Sequence, residues 1–418
     1  MDIKEQTYFD EPDNFMKVSH LTIHGTNRQI GQELTELAVE RYGLGSDSFV
    51  ADPIYAKTRL EYFQDNYPVN AERIAGVATT LGINPNDTRY DFSNLWYNVF
   101  PPSPRVGCSV VYYPPSVTAN NSGYLSRNYD FYLGTMAEVM HMPLPPDAVE
   151  RIPPVMSEPY VMEWYPEDGS YASLAIHTFD ILSGTLDGIN SEGLVVSILA
   201  DEEAITELRT NLEVHPGAPH IIGLNELQVM RFVLDTCATV DEAKKALLET
   251  KQYYAFLPLH YIVADKAGNS FIYENSTWRN IQYIIDGKGQ PQVVTNFQIH
   301  KHPTLDQMPT EELTLETNAF WRYKTLVDRL SKSNERFTPE ELKEINACVN
   351  VMKVHEALDS NQTSGNIAAN AQGRTLWHSL YNQQDGTAEF SFYLGDEINI
   401  DGTVTERRSD YIKFALES

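Results

Sequence analysis

Gly107-Cys108-Ser109-Val110-Val111-Tyr112-Tyr113 is followed, after a Pro- and Asn-rich turn, by Gly123-Tyr124-Leu125-Ser126-Arg127-Asn128-Tyr129-Asp130-Phe131. Both runs are rich in β-branched and aromatic residues, and together they read as a β-hairpin. Cys108 heads the first strand, and the second carries Arg127 and Asp130. A thiol near a guanidinium and a carboxylate is a candidate nucleophile, because neighbouring charge sets its thiolate fraction. Two structural alternatives stand beside this reading: Cys108 as a buried packing thiol, and Arg127–Asp130 as a plain ion pair.

Upstream, Ile30, Leu34, Leu37, Ala38 and Tyr42 fall on one helical face, and Gly43 stops the helix. One or two more helices are expected over 53–80, so the first hundred residues read as mainly helical. Pro101-Pro102-Ser103-Pro104 then forms an extended linker just before Gly107-Cys108. Downstream the pattern changes to strands, at 109–113, 123–131, 173–181, 193–200, 260–264, 270–275, 282–285 and 292–296. Three more are expected near 376–381, 388–394 and 402–407. Capping boxes at Thr239-Val-Asp-Glu242 and Thr338-Pro-Glu-Glu341 open two helices, and a third is expected over 317–331. Gly-containing turns at 265–269 and 286–290 suggest hairpins. Separate clusters of strands and helices give an α+β layered fold. The stretch 133–172, dense in Met, Pro and aromatic residues, reads as irregular. It is either a loop packed on the core or a wall of a substrate pocket, with Met140, Met142 and Trp164 as candidate contacts.

The net charge of −27 argues against nucleic acid and anionic membrane surfaces as partners, since both need a basic footprint. No run approaches the roughly 18 apolar residues of a membrane span. The polar start, Met1-Asp2-Ile3-Lys4, has no apolar signal region, so a cytoplasmic protein is expected. The three cysteines, Cys108, Cys237 and Cys348, are odd in number and far apart, which suits neither disulfides nor zinc. Cys237 and Cys348 sit in helical runs and read as packing residues. His260 reads as packed, and His300-Lys301-His302 as a solvated loop. Neither a metal nor a cofactor is expected.

Three further motifs join the hairpin. They are Asp187-Gly188-Ile189-Asn190-Ser191-Glu192-Gly193-Leu194, Leu259 to Gly268, and Val294-Thr295-Asn296-Phe297. In this order the motifs resemble those of the cysteine N-terminal-nucleophile (Ntn) hydrolases. Within these, they are similar to the branch of choloylglycine hydrolases, penicillin V acylases, acid-ceramidase-like amidases and isopenicillin N acyltransferases. The run from Gly25 to Gly31 resembles the start of acyltransferase-like precursors. The resemblance implies a four-layer αββα sandwich. It implies a prosegment, 1–107, that self-cleavage between Gly107 and Cys108 separates from a catalytic domain, 108–418. It implies Cys108 as nucleophile, with its freed α-amino group as base. Asp130 would hold that amino group, and Arg127 would favour the thiolate. The Asn190 N–H and the Asn296 amide would form the oxyanion hole, and Arg322 would lie near the nucleophile. The implied activity is hydrolysis of a linear amide in a small N-acyl substrate. Acyl transfer to an amine and a non-catalytic binding role remain as alternatives, and homo-oligomerisation is left open. Asn190 could equally close a hairpin turn, and Asn296 could simply end a strand. Two departures from the family pattern, Ser191 where relatives carry an acid and the 19 positions from Cys108 to Arg127, put the substrate in doubt more than the chemistry.

Overall fold

The computed structural model describes residues 2–97, 107–135, 153–154, 156–205, 221–255, 257–275, 281–309, 318–333, 336–361 and 373–417. Two sheets form its centre. The larger begins with β1 (Asp2–Tyr8) and β2 (Val18–Gly25). It continues through β5 (Tyr160–Pro166), β6 (Ser173–His177), β7 (Thr185–Asn190) and β8 (Val195–Ala200). It ends with β9 (Leu259–Ala264), β10 (Ser270–Asn275) and β11 (Gln282–Asp286). Every neighbouring pair is antiparallel except β2 and β5, which run parallel.

The smaller sheet runs β12 (Gln292–Val294), β3 (Gly107–Tyr113), β4 (Tyr124–Tyr132), β13 (Gly373–Asn382), β14 (Thr387–Ile398), β15 (Val404–Arg408). A last strand, β16 (Ile412–Ala415), also pairs with β14. The sheets face each other across one apolar core, to which Leu125, Tyr129, Ile198 and Ile262 contribute.

Helices cover both outer faces. On the larger sheet lie α1 (Asn27–Tyr42), α2 (Pro53–Asn66), α3 (Pro68–Thr80), α4 (Glu226–Thr236) and α5 (Val240–Glu249). On the smaller lie α6 (Asn318–Ser331), α7 (Pro339–Ala347) and α8 (Val351–Asn361). A second apolar cluster, with Val111, Tyr113, Leu326, Leu342 and Ile345, fills the space beneath these three. The result is the expected α+β, four-layer αββα sandwich.

The predicted capping boxes at Thr239 and Thr338 are both formed. Gly31 has a packing reason: a Cβ there would come within 2.1 Å of the Arg73 carbonyl oxygen, so only glycine lets α1 and α3 touch backbone to backbone.

Three expectations change. The N-terminal hundred residues contribute two strands of the larger sheet as well as helices. The stretch read as irregular holds β5, buried in the middle of that sheet. The turn at 286–290 is no hairpin: β11 edges one sheet and β12 the other, so the chain changes sheets there.

Candidate active site

Strand β4 supplies charge on both of its faces. Side chains alternate along a strand, so Arg127 and Asp130, three residues apart, point to opposite sides. Arg127 enters the space between the sheets, where Tyr129 and the Cys108 thiol also lie. Its Nη2 is 3.5 Å from Cys108 Sγ and donates to the Ile198 carbonyl at 2.8 Å. Its Nη1 donates to the Leu186 carbonyl at 3.1 Å and to Asp187 Oδ1 at 2.7 Å. Ser379 donates to the other Asp187 oxygen at 2.6 Å. The partner of Arg127 is therefore Asp187, not Asp130. Asp187 opens the motif Asp187–Leu194. Its pairing joins strands of different sheets, which sequence separation does not reveal.

Asp130 faces the helices α6–α8. It stands opposite Gly107 on β3. A Cβ on Gly107 would lie 2.9 Å from Asp130 Oδ2, so the missing side chain is what lets the carboxylate lean over the Gly107–Cys108 peptide. Thr375 donates to Asp130 Oδ1 at 2.6 Å. Burial raises the Asp130 pKa, and Arg322, Thr375 and Arg127 oppose the shift. Burial likewise pushes the Cys108 thiol up, against the pull of Arg127.

Asn296 and Arg322 reach the same point. Asn296 Oδ1 accepts from the Cys108 backbone N–H at 2.8 Å and from Arg322 Nη2 at 2.7 Å. Asn296 Nδ2 donates to the Ala200 carbonyl at 2.9 Å. Arg322, on α6, also donates to the Cys108 carbonyl and, through Nε, to Asn318 at 2.8 Å. Five of the expected residues thus converge: Cys108, Arg127, Asp130, Asn296 and Arg322.

Asn190 does not join them. Its N–H donates to the Leu194 carbonyl at 3.0 Å, closing the β7–β8 hairpin. Its Nδ2 donates to the carbonyls of Leu234 and Cys237 at 3.0 and 2.7 Å. Its Oδ1 accepts from Glu192 and Leu194. It is the turn residue of the alternative reading, and it pins the end of α4 to the sheet. Trp164 does not join them either. It is fully buried on β5, with the Arg73 and Arg231 guanidinium carbons each 4.7 Å from its ring. Met140 and Met142 lie outside the described residues.

The loop carrying Asn296 is clamped by carboxylates. Glu274 accepts from the N–H groups of Ile299 (2.7 Å) and His300 (3.1 Å), and Glu203 accepts from that of Gln298 (2.8 Å). Asp201 accepts from the Gln298 side chain at 2.8 Å. Glu274 also lies 2.5 Å from His300 Nδ1 and 3.4 Å from His260 Nδ1. His300 and His302 therefore pair with Glu274 and Glu203 rather than sitting free in solvent. Despite burial, the imidazoles and backbone donors hold Glu274 down at about 2, while burial lifts Asp201 to about 6. Among the described residues, no group of three or more His, Cys, Asp or Glu could hold a metal ion. No helix among them is long and apolar enough to cross a membrane. Cys237 caps α4 and is buried, while Cys348 is partly exposed at the end of α7.

A narrow cleft, with a cavity volume of about 50 Å³, leads to the thiol. Cys108, Arg127, Tyr129 and Phe131 form one side, and Phe179, Leu186, Leu227, Leu257 and Leu259 complete an apolar wall.

Residues 117–396 match the family model of acyl-coenzyme A:6-aminopenicillanic acid acyl-transferase. The chain belongs to this family. It is also similar to the penicillin V acylase of Pectobacterium atrosepticum, 33% identical over 172 residues, which are 39% of this chain and 40% of the relative. Among solved structures it is similar to a mutant of the conjugated bile acid hydrolase from Clostridium perfringens. There the TM-score is 0.44 at 14% identity, over 74% of this chain and 97% of that one. It is similar as well to the penicillin V acylase of Agrobacterium tumefaciens, with a TM-score of 0.38 at 19% identity, over 68% and 83%.

Proposed function

We propose that this chain is a cysteine amidohydrolase that cleaves the linear amide of a small N-acyl compound. The observation that carries this is Cys108 itself. Its sulfur meets Arg127 at the end of an apolar cleft, and its backbone nitrogen is held by Asn296. Names among the relatives, penicillin V acylase and conjugated bile acid hydrolase, support the same class.

Processing comes first in this proposal. The Cys108 thiol attacks the Gly107 carbonyl, the Gly107–Cys108 peptide bond breaks as a thioester forms, and water hydrolyses the thioester. The products are a Gly107 carboxylate and a free Cys108 α-amino group. Asp130, already leaning over this peptide, holds the new ammonium by a charge-assisted hydrogen bond. In turnover the neutral amine takes the thiol proton, and sulfur attacks the substrate carbonyl. Asn296 Nδ2 trades the Ala200 carbonyl for the developing oxyanion. The amine product leaves with the proton, and water then releases the acid from the acyl-thioester. The apolar wall receives the acyl group, at about 0.8 kcal/mol per methylene buried.

Acyl transfer to an amine instead of water is the second reading, favoured by the family's name, an acyl-transferase. The test is mass spectrometry of the purified protein and of its reactions with a panel of acyl amides. Two fragments, 1–107 and 108–418, and acid released without an added amine are expected. Cys108→Ala should stay in one piece. An intact wild-type chain that still turns over amides would overturn the N-terminal amine as base. Product that forms only with an added amine would favour transfer.

A further inference from the structure

Gly107, Asp130 and Thr375 form one row across three strands. Gly107 is opposite Asp130 between β3 and β4, and Asp130 is opposite Thr375 between β4 and β13. The register of β13 slips just after Thr375, since Trp377 rather than Leu376 pairs with Tyr129. Such bulges re-aim a side chain, and here the aimed residue stands beside the proposed anchor of the nucleophile's amine.

The Thr375 hydroxyl has one proton to give. It accepts from the Val351 N–H, at the first residue of α8, at 3.0 Å. That contact occupies an acceptor site and leaves the O–H aimed at Asp130 Oδ1, 2.6 Å away. The Arg408 guanidinium fixes the backbone from behind, donating to the Thr375 carbonyl at 2.6 Å. Asp130 thus has a fixed donor on Oδ1, while its Oδ2 lies over Gly107, 2.9 Å from where a Cβ there would stand.

We propose that Thr375 is a positioning residue: its locked hydroxyl favours the carboxylate form of Asp130 and keeps it turned toward the Gly107–Cys108 peptide. This rests on the reading of Asp130 as the anchor of the α-amino group. A donor to a carboxylate favours the charged form, so its loss makes the carboxyl harder to ionise. The other charged or titratable groups whose fields reach Asp130 are Arg322 on α6, Glu406 and Arg408 on β15 and, from the opposite face of the sheet, Arg127 on its own strand and Cys108 on β3. None of them is changed by a substitution at 375.

The test is a carboxyl-carbon NMR titration of the full-length protein, with the Asp130 signal assigned by its loss in Asp130→Asn. In Thr375→Val that signal should titrate roughly one to two pH units higher than in wild type. Thr375→Ser should restore it, and Thr375→Ala gives the same reading if the valine variant does not fold. An unmoved titration in Thr375→Val or Thr375→Ala overturns the inference. Turnover of penicillin V, used as a probe alongside self-cleavage, separates the two claims. Normal processing and turnover by Asp130→Asn would remove the anchor role while leaving the titration result intact.

Discussion

Arg127 makes four contacts from one planar group: two carbonyls, a carboxylate and a sulfur. A lysine ammonium cannot span them. Arg127→Lys should therefore raise the thiol pKa beyond what burial already does, and slow alkylation of Cys108 by iodoacetamide at pH 7 about tenfold or more. An unchanged pH profile of alkylation would mean Arg127 does not govern the sulfur. Asp180 offers a separate test of buried charge. Its Oδ1 accepts from the N–H groups of Leu95 and Leu182, yet Oδ2 meets no donor among the described residues. Burial lifts its pKa to about 7, above the unfolded value. A raised carboxyl binds its proton more tightly when folded, so its contribution to stability is full below about pH 4 and is lost as pH rises through 7. Asp180→Asn should be relatively more stable at pH 8 than at pH 5, by roughly 3 kcal/mol when the two differences from wild type are compared in urea melts. Equal differences at both pH values would show that Asp180 is not protonated by burial. At this scale the sequence could offer residue types in motif order, and Cys108, Arg127, Asp130, Asn296 and Arg322 were legible that way. Asp187 and Thr375 were not, because each acts through a contact that only the packing of distant strands creates.

Among elements, the strands with plain alternation or β-branched runs could be read directly, and so could helices with capping boxes. Strand β5 could not. It is buried on both faces, so Tyr160 to Trp164 show no polar alternation, and flanking prolines mimic a loop. Strand β2 was hidden for a different reason: its parallel partner lies beyond residue 150. The β7–β8 hairpin holds a motif residue that the packing uses for a turn. The Asn190 side chain joins the hairpin turn to the C-terminal carbonyls of α4, and every one of its polar groups is used. Asn190→Ala strands two carbonyls and loses the turn, so it should cost about 2–3 kcal/mol of stability in chemical denaturation. The remaining folded protein should keep its turnover per Cys108 thiol. A drop in turnover far larger than the drop in folded fraction would return Asn190 to the catalytic machinery.

For the whole molecule, the question is what becomes of the first 107 residues once the proposed cleavage occurs. They are not an appendage. Strands β1 and β2 form one end of the nine-stranded sheet, and β2 is bonded along its length to β5. Helix α3 is anchored more deeply. Arg73 is fully buried and reaches Asp235 of α4 at 2.5 Å, where Arg231 binds the second carboxylate oxygen at 2.8 Å and Tyr67 donates as well. Both guanidinium groups also lie against the Trp164 ring. Further contacts cross the cleavage point, since Asn27 of α1 donates to Asp168 at 2.9 Å and Arg59 of α2 donates to the Gly223 carbonyl at 3.0 Å. Separating the pieces would expose a sheet edge and leave Asp235 with one cation where it had two. Uncovering a paired buried charge in this way costs on the order of 3–5 kcal/mol before any apolar surface is counted. The cleaved protein should therefore run as one species in native size-exclusion chromatography, with both fragments in the peak, and come apart only in denaturant. Arg73→Leu should lower the urea concentration at which the fragments separate. Fragments that part in plain buffer would show that the N-terminal segment is not an integral part of the larger sheet.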